Sequence, residues 1–356
     1  MFSEPTAFII GAGASAEYNI AVGDKLKLKI AELLNFYFDG GALSRGDGRI
    51  AEHLKQHSQQ VTGQYVLSQE HFKAARLISQ AMPHALSIDN FIDAHRGNEA
   101  VALCAKLAIA KAILTEERRS RISGLERPFE HFDFASVGDT WITRLFQMMS
   151  ESVTRDELPT VFRNLSLIIF NYDRCIEAYI PRALSEYYDI TPSEAATLMA
   201  GLKIIHPYGV AGGLSADGTL SVPYGSADVD LTATADGIRT FSEGVADEST
   251  SDEIQFVMSS VHTLVFIGFS FHPLNMKLLE STTQSLRRIF ATTFGLSKSA
   301  VASVEQILLQ IFDKISPRSS LLEWNRKQLD ELEMVDLKAY DFCTQYFRSL
   351  STTAVE

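Results

Sequence analysis

Gly11, Ala12, Gly13, Ser15 and Ala16 follow directly on an apolar run at residues 7–10, and a helical pattern comes after them. Strand, glycine turn and helix start in that order satisfy the G-x-G-x-x-G/A spacing, which holds the pyrophosphate of a dinucleotide. In that use Gly11 permits the tight turn, Gly13 lets a phosphate approach the backbone beside Ala12, and Ala16 keeps the helix near its strand. The helix N-terminus offers N–H groups to the anion. Small-residue turns of this kind also arise from packing alone. Ser15 contacts phosphate or caps the helix, and both uses draw on the same N–H groups.

Further polar residues recur at the ends of apolar runs. Asn171 and Asp173 close the run at residues 165–170, two apart and therefore on one strand face. They meet a ligand at the sheet edge or cap backbone N–H groups of a strand-end turn. His206 is a candidate general base, since a neutral imidazole takes a proton from a ribose hydroxyl or a water near pH 7. The alternative is a core histidine satisfied by a carbonyl. Tyr208 can donate a hydrogen bond but is a poor base. Gly268 and Ser270 end the run at residues 263–267. His272, beside Pro273, approaches an adenosine half or is structural; Asn275 is a ribose ligand or a helix cap. Asp89, in a helical stretch, reaches the pocket or serves as an N-cap or exposed charge.

Positioning these residues calls for a sheet. Strands are expected at residues 7–10, 165–170, 203–209, 263–267 and 288–293, with an edge strand at 333–340. Helical connections between them predict an α/β, doubly wound, mostly parallel Rossmann-like sheet. A helix at 24–34 precedes a long interval without a convincing strand, in which residues 68–82, 100–114 and 140–151 carry helical spacing. The expected organisation is therefore a Rossmann-like domain of residues 1–34 and 160–356 with a helical insertion subdomain at 35–159. A glycine-rich hairpin is expected from Asp217-Gly218 to Val222-Pro223-Tyr224-Gly225, and a mobile acidic loop at 247–253.

The chain has 356 residues and a formal charge of -12, which argues against general nucleic-acid binding because phosphate neutralisation needs clustered Lys and Arg. Cys104, Cys175 and Cys343 form no C-x-x-C pair, so neither a zinc ribbon nor a disulfide framework is expected. Residues 1–5 lack the features of a signal peptide, and the apolar stretch 102–114 is interrupted by Lys106 and Lys111. A cytoplasmic protein without a membrane span is expected.

Taken in order, Gly11-Ala12-Gly13-Ala14-Ser15, Asn171-Tyr172-Asp173, His206 to Gly209 and Gly268-Phe269-Ser270 resemble the NAD-binding core of sirtuin-like proteins. Residues 87–91, 222–225 and 268–273 are similar to a bacterial branch associated with phage defence that lacks the zinc module. That resemblance implies NAD hydrolysis to nicotinamide and ADP-ribose, with NAD as substrate and no metal. It assigns Asn171 to the attacking water or the ribose, and Asp173 to the nicotinamide end. The usual catalytic histidine directly precedes the glycine, whereas here Tyr208 precedes Gly209 and His206 lies two positions earlier, about 6 to 7 Å along an extended strand. The resemblance also implies a latent homo-oligomer with a second defence-system protein as a possible partner, and the apolar faces of 102–114 either bury against other subunits or pack on the sheet. Two other readings stand beside it. One is an NAD or ADP-ribose sensor without turnover. The other is a dehydrogenase, with residues 34–39 as a second strand bearing the ribose-binding acid.

Overall fold

β1 (Thr6–Ile10) is buried at every position, as expected of a parallel strand with a core on each face. Its side chains alternate between two cores: Ala7 and Ile9 enter one, Phe8 and Ile10 the other. The computed structural model describes residues 1–125, 127, 130–215, 220–227, 229–280, 285–311 and 329–351. After a small hairpin of β2 (Tyr37–Asp39) and β3 (Ala42–Arg45), the sheet continues with β4 (Leu165–Ile169), β5 (Lys203–Ile205), β6 (Thr263–Ile267), β7 (Arg288–Thr292) and β8 (Glu331–Val335).

The six sheet strands are all parallel and lie in the order β5-β4-β1-β6-β7-β8. Counted along the chain that is third, second, first, fourth, fifth, sixth, the order of a doubly wound dinucleotide-binding sheet. Register fixes what meets at its carboxyl edge. Ile10 stands level with Ile169 on one side and Ile267 on the other, so the chain leaves β1, β4 and β6 at one height. The crevice of such a sheet opens where the strand order reverses, beside β1.

Both faces of the sheet are covered partly by residues from the interval between β1 and β4. Helix Glu99–Arg119 belongs to the core of Ala7 and Ile9, whereas helix Trp141–Ser150 belongs to that of Phe8 and Ile10. Helix Glu99–Arg119 is itself wrapped by helices Asp24–Leu33, Gly48–Thr62, Gln69–Ala81 and Leu231–Asp236. The apolar faces of 102–114 are thus covered within the chain and offer no surface to another subunit. No helix among the described residues is long and apolar enough to cross a membrane.

Several elements differ from expectation. Residues 37–39 pair antiparallel with 42–45 through Gly40 and Gly41, both at positive φ, and stay out of the parallel sheet. The dehydrogenase reading thereby loses its second strand, and Asp39 stands exposed on the hairpin. Residues 247–253 begin a helix, Glu248–Ser260, because the Asp247 side chain accepts from the Thr250 N–H and hydroxyl and caps its start. β8 starts at Glu331 and ends at Val335, and a helix, Ala339–Gln345, follows where strand was expected. Asp217 and Gly218 lie outside the described residues, flanked by an antiparallel bridge from Leu214 to Leu220.

A candidate nucleotide cavity at the sheet edge

A cavity of about 810 Å³ opens at the carboxyl ends of β1, β4, β6 and β7. That size suits an organic ligand largely enclosed by protein. Gly11, Ala12, Gly13, Asn171, Asp173, Asp89, Tyr208, Gly268, Ser270, His272 and Asn275 all line it. Strands that end in register bring them together from stretches far apart in the sequence.

The glycines serve first to let two turns touch. A Cβ on Gly11 would stand 2.4 Å from the Gly268 carbonyl oxygen, and one on Gly13 2.9 Å from Gly268 Cα. Gly268 itself sits at φ +56°, and a Cβ there would stand 2.1 Å from the Ala14 nitrogen. The Gly13 N–H donates to the Gly268 carbonyl at 2.9 Å, and those of Gly11 and Ala14 donate to Ile267 and Gly11 carbonyls. The β6 turn of the protein itself thus makes one close approach at Gly13, which also lines the cavity. The following helix is a single turn, Ala12–Ser15, continued by a 3-10 turn that Asn19 closes in the left-handed region; the longer helix starts only at Asp24.

Ser15 is buried and does not line the cavity. Its hydroxyl donates to Asp173 Oδ2 at 2.7 Å and accepts from Asn171 Nδ2 at 2.7 Å. Asn171 Nδ2 also donates to the Gly11 carbonyl at 3.1 Å. The glycine turn and the β4 tip are joined through this hydroxyl, a role the phosphate-or-cap alternatives did not include. Asn171 Oδ1 is left buried without a hydrogen-bond partner among the described residues. Such a group calls for an explanation. Burial pushes the Asp173 carboxyl above the usual carboxylate range, against hydrogen bonds from Cys175 and Ser15 that hold it down.

Two tyrosines tie the walls together. Tyr172 donates to Asp89, and Tyr208 donates to Asn275 Oδ1. Asp89 enters from helix Ile88–Ala94, whose N-cap is Ser87; burial raises its pKa, with the Tyr172 bond opposing. Phe170 and Phe269, 5.1 Å apart, make an aromatic wall between Tyr208 and the β6 turn. Phe271 holds φ +53° while its ring is buried against Phe266 and Phe269. This non-glycine residue in the left-handed region marks the Ser270–His272 stretch as tightly determined by its packing. His272 caps helix Pro273–Leu279, its Nδ1 accepting from Leu274 N–H at 3.3 Å. Glu17, not singled out from sequence, also lines the cavity, and its carboxylate accepts the N–H groups of Trp141 and Tyr340 at the starts of two helices.

His206 is not brought into the cavity. β5 ends at Ile205, so strand alternation no longer relates positions 206 and 208. Gly209 turns at φ +66°, Tyr208 packs on Phe170 inside the cavity, and His206 faces helix Cys175–Tyr188. Its Nε2 lies 2.7 Å from Glu177 Oε1 and its Nδ1 3.3 Å from the Asn171 carbonyl, with the side chain 6% exposed. A histidine held at both nitrogens is no base for a ligand in the cavity.

Beneath the site lies a buried ion pair that sequence reasoning did not find. Arg174 and Glu117, both with fully buried side chains, meet at 2.6 Å. Arg174 also donates to the carbonyls of Val222 and Pro223, while Glu117 accepts from the Gly225 N–H at 2.9 Å. The 222–225 segment is thus a fastening behind Asp173 rather than part of the cavity lining. Burial pushes the Glu117 carboxyl up, opposed by Arg174. Cys104, Cys175 and Cys343 are free and buried, and burial raises their thiol pKa values. Among the described residues no group of three or more His, Cys, Asp or Glu could hold a metal ion.

Fold and cavity together define a doubly wound, Rossmann-like α/β protein with a cavity at the switch point of the sheet. The chain matches no model of a known family and no curated protein.

Proposed function

We propose that the cavity binds NAD and hydrolyses its nicotinamide–ribose bond. The observation that carries this reading is Asn171, a residue of the cavity lining: two bonds from Nδ2 fix it to the glycine turn, and Oδ1 is buried without a hydrogen-bond partner among the described residues. An unpaired amide oxygen fits a donor brought by a ligand, such as a ribose hydroxyl or an attacking water.

In the reaction the C1′–N bond breaks, its electron pair goes to the pyridinium nitrogen, and nicotinamide leaves neutral. The ribose becomes oxocarbenium-like, water adds to C1′, and one proton is released. Asp89 and Asp173 supply carboxylates near that positive charge in a site walled by Phe170, Tyr172, Phe241 and Phe269, where low dielectric strengthens the attraction. Asp89, in its carboxylate form, also takes the proton of the water. Tyr208, bonded to Asn275 and standing beside the Tyr172 ring, meets the ribose together with Asn275. The test is nicotinamide release from NAD by the parent protein, with Asn171→Ala and Asp89→Asn beside it. Release lost in both variants supports the reading, and absence of release from the parent at every protein concentration overturns it.

A second reading, an NAD or ADP-ribose sensor without turnover, is favoured by the engagement of His206 with Glu177 and by Tyr208 before Gly209. Binding without release selects it. The cellular setting we propose, a cytoplasmic NADase that depletes NAD in phage defence and stays latent until it assembles into a homo-oligomer, rests on the sequence resemblance. Full activity in a monomer sinks the assembly part.

A further inference from the structure

We infer that His206 is a positioning residue that acts through the main chain of Asn171, an inference that rests on reading the cavity as the site of NAD cleavage. The imidazole stands between two elements. On one side Nε2 meets Glu177 Oε1 at 2.7 Å, in the first turn of helix Cys175–Tyr188. On the other side Nδ1 meets the carbonyl of Asn171 at 3.3 Å. A carbonyl only accepts, so Nδ1 carries the hydrogen. The Asn171 peptide is therefore held by a ring that is itself clamped to a helix.

The rest of Asn171 is held from the other direction. Its Nδ2 bonds reach back to Gly11 and Ser15 on the β1 side, and the Phe170 N–H donates to the Ile10 carbonyl at 2.9 Å. Past Asn171 the chain is fixed again where the Ala211 N–H donates to the Tyr172 carbonyl at 3.0 Å. Among the described residues the Asn171 carbonyl has His206 as its partner. Releasing that bond lets the Asn171 peptide rotate, and the buried, unpartnered Oδ1 beside the cavity moves with it. Displacement of a reacting contact by about 1 Å costs on the order of a hundredfold in rate.

Asparagine and glutamine separate the two halves of the imidazole. The asparagine amide nitrogen takes the place of Nδ1 and keeps the bond to Asn171, while the glutamine amide takes the place of Nε2 and keeps the bond to Glu177. Steady-state nicotinamide release from NAD is measured for the parent, His206→Asn, His206→Gln and His206→Ala, with unfolding midpoints as a control. Expected are a kcat within about threefold of the parent for His206→Asn and a loss of about tenfold or more for His206→Gln and His206→Ala, with KM within about threefold throughout. Glu177→Gln, which keeps a partner for Nε2, tracks His206→Asn. Equal losses in all three His206 variants, or equal retention, overturn the inference, as does a change confined to KM. Where the parent releases nicotinamide and the series is flat, this inference alone falls. A parent that releases none overturns the cleavage reading and this inference with it.

Discussion

Replacing Ser15 by alanine separates the role this residue plays in the fold from the one its place in the glycine turn suggests. As a helix cap its loss is worth about 0.5–2 kcal/mol, typically near 1. The structure instead puts its hydroxyl between two buried polar groups, at 2.7 Å from Asp173 Oδ2 and 2.7 Å from Asn171 Nδ2. Leaving a buried donor or acceptor without its partner costs about 1–3 kcal/mol each. Asn171 keeps its second bond to Gly11, which places the combined loss at roughly 2–4 kcal/mol. The sign with pH follows from Asp173. The Ser15 hydroxyl favours the carboxylate, so its removal raises the Asp173 pKa further above the ordinary 3.8. An acid whose folded pKa is raised loses stability as pH rises through that range, and the variant loses more than the parent. Urea unfolding from pH 4 to pH 8 reads this out, with the midpoint falling and the m value unchanged. A loss below about 1 kcal/mol at every pH refutes the buried-bridge assignment and returns Ser15 to an ordinary cap.

Other perturbations test other parts of the site. Arg174→Met leaves Glu117 buried without its counter-ion and costs about 3–5 kcal/mol by thermal or urea unfolding, whereas Arg174→Met with Glu117→Leu recovers most of that loss; a double variant as unstable as the single one contradicts this account. Gly268→Ala combines a left-handed conformation worth about 1–2 kcal/mol with a contact against the Ala14 nitrogen, so soluble yield and unfolding midpoint both fall; an unchanged midpoint means the two turns can separate freely. Asp89→Asn keeps an acceptor for Tyr172 and removes a half-buried, desolvated charge, so stability at pH 7 rises while nicotinamide release falls. The stability difference widens as pH rises through the raised Asp89 pKa and closes below 3.8. In the parent, nicotinamide release declines as pH falls through that same raised pKa, since the carboxylate form is the working one; a flat acidic limb removes Asp89 from the chemistry.

The sheet was legible because its strands are continuous apolar runs ending in small or polar residues, as at Ile10 to Gly11 and Ile267 to Gly268, a pattern set by burial on both faces. The meeting of Asn171, Asp173, Gly268 and Asn275 followed, since parallel strands present their carboxyl ends together. The glycine turn has a use the spacing rule does not contain: its glycines admit the backbone of the neighbouring β6 turn, while they also line the cavity. His206 was placed by strand alternation, which fails where a strand stops after three residues. The β2–β3 hairpin was signalled by Asp39-Gly40-Gly41, a turn sequence that helical periodicity in the surrounding interval obscured. The Arg174–Glu117 pair had no local signal, because nothing near either residue in the sequence says that the other comes to meet it.

The sheet's register also sets the timing of synthesis. β1 pairs with β4 from Thr6 opposite Leu165 and with β6 from Thr6 opposite Thr263. At ribosomal speeds of about 5–20 residues per second, its second neighbour emerges roughly ten to fifty seconds after it. For that interval a strand that is apolar from Ala7 to Ile10 waits with at least one open edge, a template for unwanted pairing. Helices from residues 48–119 become available during the wait and can shelter the Ala7 and Ile9 side, whereas the Phe8 and Ile10 side has only Phe2, Tyr18, Ile20 and a few later residues such as Ile122 and Val137 until helix Trp141–Ser150 is made. The nascent chain is therefore most vulnerable to aggregation through one face of its first strand.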